Sequence, residues 1–185
     1  MPKDQNGRSI SVAAAMEQWG PVAFQALVST ARTYNGYITY KDLTVLVQEA
    51  THITYGALVQ NWVGNILGYV LDRAVREGLP PLTSLCVSAE GTVGKGYAEV
   101  LRAYGRSIPD GVEHLDDHAA VDRLECYRYY GADLPPGGGE PTLTPKAKAA
   151  REWKRARASE AEPPKFCPEC FLTLPMTGRC DGCEG

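Results

Sequence analysis

The chain of 185 residues has no apolar run approaching the roughly 20 residues that a membrane-spanning helix needs. Its polar start, from Met1 to Arg8, holds no signal-type segment, and Ser11 to Met16 is too short and too mild to act as one. A cytoplasmic protein without a membrane partner is expected. Histidine is scarce, at three residues, and the Ser, His and Asp residues are too scattered to suggest a nucleophilic triad. No Lys or Arg occurs from Asp42 to Asp72, so the middle of the chain lacks the cations that neutralise phosphates. Gly91-Thr-Val-Gly94-Lys95-Gly96 lacks both the glycine spacing and the Ser/Thr after lysine of a phosphate-binding loop; it reads as a turn. No internal repeat is present. Together these absences argue against an enzyme.

What is abundant near the end is cysteine. Cys167-Pro-Glu-Cys170 and Cys180-Asp-Gly-Cys183 form a C-x2-C-x9-C-x2-C array. Two close pairs can deliver four thiolates to one tetrahedral Zn²⁺, which predicts a structural zinc ribbon over 166–185. Phe171 to Leu174 reads as a short apolar strand, followed by a turn at Pro175 to Gly178. A segment this small cannot bury enough surface to fold alone, so the metal has to supply the folding energy. Disulfides or a redox pair are the alternative uses of such cysteines. With all four positions filled by protein ligands, a catalytic zinc is not expected. Cys86 and Cys126, in apolar surroundings, read as small buried residues.

Charge is unevenly spread. Residues 1–140 carry 11 Lys+Arg against 16 Asp+Glu, net −5, whereas Lys146 to Arg157 holds six basic residues and one acidic, net +5. Lys146, Lys148, Arg151, Lys154, Arg155 and Arg157 therefore form a basic helix suited to phosphate contacts, with Trp153 able to stack on a base and Lys95 adding a cation at the Gly-rich turn. The plainer alternative is a solvated helical connector. Glu113-His-Leu-Asp-Asp-His118 sets two histidines four apart with Asp122 one turn on, a spacing that can bind metal. A metal-dependent nuclease using His114, His118 and Asp122 is a third reading; a surface cluster is the simpler one.

Periodicity predicts helices over about 21–34, 41–50, 57–77, 97–104, 116–130 and 145–160, with Pro21 in a first turn and Gly36, Gly78 and Gly131 as stops. The third of these carries a stripe of Leu58, Trp62, Ile66, Tyr69, Val70 and Ala74, with Gly64 and Gly68 suggesting close helix packing. On it and before it, Gln48, Gln60, Asn61 and Asn65 are amides able to read base edges. Leu82 to Ser88 is a strand candidate, and Leu134 to Pro141 is a linker by composition. The fold class is thus α+β and mainly helical. Its expected parts are a flexible start (1–17), a first domain (18–134), a Pro/Gly linker with the basic helix (135–165) and the zinc ribbon (166–185).

Ile38-Thr39-Tyr40, Val63-Gly-Asn-Ile-Leu67, Arg76-Glu-Gly-Leu-Pro-Pro-Leu-Thr-Ser-Leu-Cys-Val87 and Gly91 to Tyr97 occur in that order. This stretch resembles a winged-helix-like module of many uncharacterised bacterial and phage proteins and of some HNH-type restriction proteins. The resemblance covers roughly 18–134 and implies a winged-helix fold in a phage–host or restriction setting. No HNH core follows, so nuclease activity is not implied. The expected function is DNA binding, or docking onto a DNA-handling complex. An adaptor or inhibitor that binds a host or phage protein is the alternative.

Overall fold

The computed structural model describes residues 1–108, 110–111, 113–161, 166–174, 180 and 183. It divides into two units, Met1–Ala147 and Lys148–Gly185. In chain order the elements are α1 (Val12–Ala31), β1 (Ile38–Thr39), α2 (Tyr40–Thr51), α3 (Val63–Arg76), β2 (Cys86–Val87), α4 (Tyr97–Ala103), α5 (Glu113–Tyr129) and α6 (Pro145–Ala161). Short 3₁₀ turns at Val59–Asn61 and Leu82–Leu85 lead into α3 and β2. The chain is mainly helical, with a sheet of two short strands. No helix among the described residues is long and apolar enough to cross a membrane.

Helix α1 starts at Val12 rather than at Pro21, so part of the segment expected to be a flexible start is helical. Ser11 caps it, its Oγ accepting from the Ala14 amide at 3.1 Å, and Pro21 lies inside. An interior proline costs about 3 kcal/mol locally. Complete burial of Ala15 and Trp19 on the preceding turns outweighs that cost, and Glu17, whose carbonyl loses its helical partner, faces solvent. Ahead of the helix, backbone bonds between Lys3 and Thr54, at 2.8 and 2.9 Å, hold the first residues against the loop after α2.

The core forms where α1, α2, α3 and the Leu82–Leu85 turn meet. Trp19, Leu27, Leu43, Val47, Ile66 and Val70 are fully buried, and Trp19 packs on Trp62 with ring centroids 4.8 Å apart. Along α3 the inward residues are Val63, Ile66, Val70 and Ala74. Leu58, expected on that stripe, lies ahead of the helix and is 65% exposed. Val121 likewise points outward from α5.

Close helix packing occurs at a different glycine from those expected. A Cβ on Gly20 would fall 2.5 Å from the Tyr69 ring, so α1 and α3 meet there. Added Cβ atoms on Gly64 and Gly68 would meet nothing within 4 Å. A glycine inside a helix costs about 1 kcal/mol relative to alanine, and at Gly68 no packing within the described residues requires it.

The left-handed residue that ends the α1 turn is Asn35 (φ 61°), not Gly36. Asparagine tolerates this region, and its Oδ1 accepts from the Thr142 hydroxyl at 2.6 Å. Strands β1 and β2 pair in parallel, Ile38 with Cys86 and Thr39 with Val87. The predicted strand from Leu82 therefore shrinks to two residues, its first half winding into the 3₁₀ turn. The Gly-rich segment leads directly into α4, with no returning strand.

The segment 135–144 is not a free tether. Its carbonyls at Gly138 and Thr142 accept from Arg128 and Arg123, Tyr34 and Glu140 bond to each other, and Thr144 Oγ1 donates to the Gly91 carbonyl at 2.6 Å. A Cβ on Gly91 would lie 2.3 Å from Thr144 Oγ1, so only glycine allows that approach. Gly137, Gly138 and Gly139 all take positive φ, and the Gly138 and Gly139 carbonyls accept from Arg128. Glycines read as flexibility in the sequence act here as the shape of a strap. Thr144 also caps α6, accepting from the Ala147 amide.

A buried ionic group braces α4 and α5. Asp122, fully buried, pairs with Arg106 and accepts from the Tyr97 hydroxyl. Arg106 also reaches Glu125 at 2.9 Å. Arg123, 3% exposed, donates to the Ser84 carbonyl at 3.1 Å, and burial lowers its pKa.

Candidate metal centre and basic helix

The structure brings Cys167, Cys170, Cys180 and Cys183 together, with all four Sγ atoms within 4.8 Å of one another. Cys167 and Cys183 are 3.7 Å apart at sulfur, Cys170 and Cys180 3.3 Å. These separations exceed the disulfide bond length of about 2.05 Å, and none of the four cysteines forms a disulfide. A tetrahedral ion with metal–sulfur bonds of about 2.3 Å would set its sulfurs about 3.8 Å apart. The cluster fits such an ion with small adjustments.

Local backbone explains how the first pair is presented. The Cys167 amide donates to the Leu172 carbonyl at 2.8 Å, and the Phe171 amide donates to the Cys167 carbonyl at 2.9 Å. Phe166 and Thr173 form an antiparallel bridge that closes this loop. The expected strand from Phe171 therefore does not begin there. Phe171 sits in the left-handed region (φ 55°) and completes the turn around Cys167. The turn predicted at Pro175 to Gly178 lies outside the described residues, as does the end of the expected linker at 162–165.

The sulfurs are not electrostatically equivalent. Hydrogen bonds from the amides of Cys170 and Glu169 pull the Cys167 thiol down to about 6, favouring the thiolate that a metal requires. Cys183 is pushed the other way, because its thiol proton is shared with Cys170, Cys167 and Cys180. Four sulfurs this close cannot all ionise alone; a cation would replace the shared protons. Cys86 and Cys126 are buried in the first unit, where desolvation raises both thiols, Cys126 to about 12.

The predicted nucleic-acid residues fall into two groups. Lys95 and Lys146 belong to the first unit; both are exposed, and Lys146 Nζ donates to the Ala89 carbonyl at 3.0 Å. In the second unit α6 carries Lys148, Lys154, Arg155 and Arg157 exposed and Arg151 half-buried. Trp153 is 62% exposed, with the Arg157 guanidinium 4.8 Å from its ring centroid. Of the amides proposed to read bases, Gln48 is committed to structure, donating to the Thr44 carbonyl and accepting from the Tyr55 amide. Gln60, Asn61 and Asn65 are exposed.

The His114, His118 and Asp122 spacing does not build a site. Asp122 turns into the core toward Arg106, while His114 is exposed and lies 3.5 Å from Asp117. Helical spacing had placed them on one face; the half-buried Arg106 claims the carboxylate. Among the described residues the four cysteines are the group whose ligand atoms converge. Gly64 and Gly68, whose spacing suggested helix packing, instead line an apolar cleft with α4. No protein-family model matches the chain, and neither does any curated protein or solved structure.

Proposed function

We propose that this protein binds DNA, or docks onto a DNA-handling assembly, through the cationic side of α6 and a module held by structural Zn²⁺. The observation that carries this is the exposure of Lys148, Lys154, Arg155 and Arg157 on one short helical stretch beside exposed Trp153. Long cations in water neutralise phosphates, and an unburied indole offers a stacking face. The four-thiolate donor set supports zinc as the ion. The winged-helix arrangement of the first unit belongs to the same proposal. The element order through β2 supports it, although β1 and β2 pair in parallel and, among the described residues, no wing hairpin follows before α4. The phage or restriction setting rests on the resemblance alone.

The test is fluorescence anisotropy of zinc-loaded full chain on a random DNA duplex across a salt series. Each phosphate neutralised contributes about −0.9 to the slope of log K against log salt. Five contacts would give about −4.5. Replacing Lys148, Arg151, Lys154, Arg155 and Arg157 with Glu should abolish binding at moderate salt. Unchanged binding in that variant would end the proposal. Deleting the tail at Glu140 is a poor substitute, because it also removes Thr142 and Thr144 from the strap.

A second reading, a protein-binding adaptor or inhibitor, is favoured by the exposed Phe166, Phe171 and Leu172 of the cysteine module. It also accords with the lack of cations from Asp42 to Asp72. Absence of DNA binding at low salt, with recovery of one stoichiometric protein after nuclease treatment, would select it.

A further inference from the structure

Between α3 and α4 the first unit contains a cleft of about 460 Å³, within the size range of small-molecule sites. One wall is the α3 face carrying Gly64, Leu67, Gly68 and Leu71; the other is built from Val93, Gly94, Tyr97 and Val100. Thr83 and Cys86 also line it, and both are almost completely buried. The cleft lies entirely in the first unit and is independent of the nucleic-acid reading.

Three observations point to an occupant. First, Gly64 and Gly68 sit one helical turn apart and leave open space where side chains would fit. The chain forgoes helix stability at Gly68 without any neighbour in this unit that demands it. An occupant that uses the space accounts for both glycines. Second, Thr83, 4% exposed, has a buried hydroxyl with no hydrogen-bond partner. Buried polar groups are nearly always paired, so an unpaired one beside an apolar cleft marks a position for a polar group of a ligand. Third, the lining contains no cation. Its one charged residue is Glu99, which pairs with Arg102. An anionic ligand would find nothing to neutralise it.

We infer that this cleft binds a neutral, largely apolar small molecule that carries one hydroxyl or carbonyl group. Its apolar body fills the space above Gly64 and Gly68, and the polar group meets Thr83. The Tyr40 hydroxyl, which accepts from the Gly94 amide at 3.1 Å, holds the opposite lip in place.

The test uses full-length, metal-loaded chain and 1-naphthol as probe, followed by amide chemical shifts. Saturable shifts are expected at Gly64, Gly68, Gly94 and Gly96, with 1-naphthalenesulfonate binding at least tenfold more weakly. Gly68→Leu fills the cleft at a position where a side chain meets no obstacle. It should lose at least tenfold in affinity for 1-naphthol while melting no lower than the parent. Thr83→Val keeps the shape and should weaken 1-naphthol several-fold. The inference is overturned if millimolar 1-naphthol leaves those amides unmoved, or if Gly68→Leu binds as well as the parent. It is equally overturned if the same amides shift with protein concentration alone, since a second copy would then occupy the groove.

Discussion

Replacing Asp122 with Ala tests the account of the first unit most directly. The carboxylate is fully buried, pairs with Arg106 and accepts from the hydroxyl of Tyr97, a residue only 5% exposed. Removing one partner of a buried pair costs about 3–5 kcal/mol. Arg106 keeps Glu125 at 2.9 Å and part of its surface in water, which places the expected loss near the lower end, about 3 kcal/mol. Much of that comes from the stranded tyrosine hydroxyl, worth about 1–3 kcal/mol when buried without a partner. For a domain of this size the change corresponds to a melting-temperature drop of roughly 6–12 °C. Urea denaturation followed by tryptophan fluorescence measures the loss. Tyr97→Phe supplies the cross-check. In the Asp122→Ala background it should cost little, since the hydroxyl has already lost its acceptor; in the parent it should cost more. A loss under about 1 kcal/mol, or strictly additive variants, would refute the description of this group as a coupled buried network.

Further expectations can be checked on the same material. Gly20→Ala should destabilise by about 1–3 kcal/mol through its collision with Tyr69, whereas Gly68→Ala should stabilise by up to about 1 kcal/mol; denaturant midpoints distinguish them. Chelation of a zinc-loaded sample should release one ion per chain and leave the melting of the first unit unchanged. After chelation, iodoacetamide at pH 8 should label four cysteines by mass spectrometry, with Cys86 and Cys126 labelled only on unfolding, because burial keeps both as thiols. Cys126 and Tyr130 hold their protons to about 12 in the folded chain, from ordinary values of 9.0 and 10.0. The unfolded chain therefore releases its protons first as pH rises. Stability is full below about pH 9 and should fall progressively toward pH 12, visible as a declining melting temperature.

Different parts of this molecule were legible in the sequence to different degrees, for physical reasons. The cysteine cluster could be read because a metal-type site imposes short, chemically distinctive spacings. The stops at Gly78 and Gly131 could be read because they act within one turn of the backbone. The start of α1 could not, since burial of Ala15 and Trp19 by distant residues decides it against the local preference of Pro21. Strands of two residues carry no period, so their parallel pairing left no trace. Asp122 looked like a surface ligand because helical spacing says nothing of Arg106, which arrives from the loop after α4 to pair with it. Gly64 and Gly68 have the spacing of a packed seam, and only the position of α4 turns them into an opening.

The strap over 135–144 also has a consequence in time. Two of its bonds join residues far apart in the chain, Thr144 to Gly91 over 53 positions and Thr142 to Asn35 over 107. Closures over such distances come late in folding, after the helices they clasp have already met. During synthesis the first unit stays unlatched until residue 144 has emerged, however early α1 to α3 assemble. In the finished protein the same seam, built from few contacts near the surface, is a natural place for local opening. Each opening would uncover the Arg123 guanidinium, for as long as Thr142 stays away.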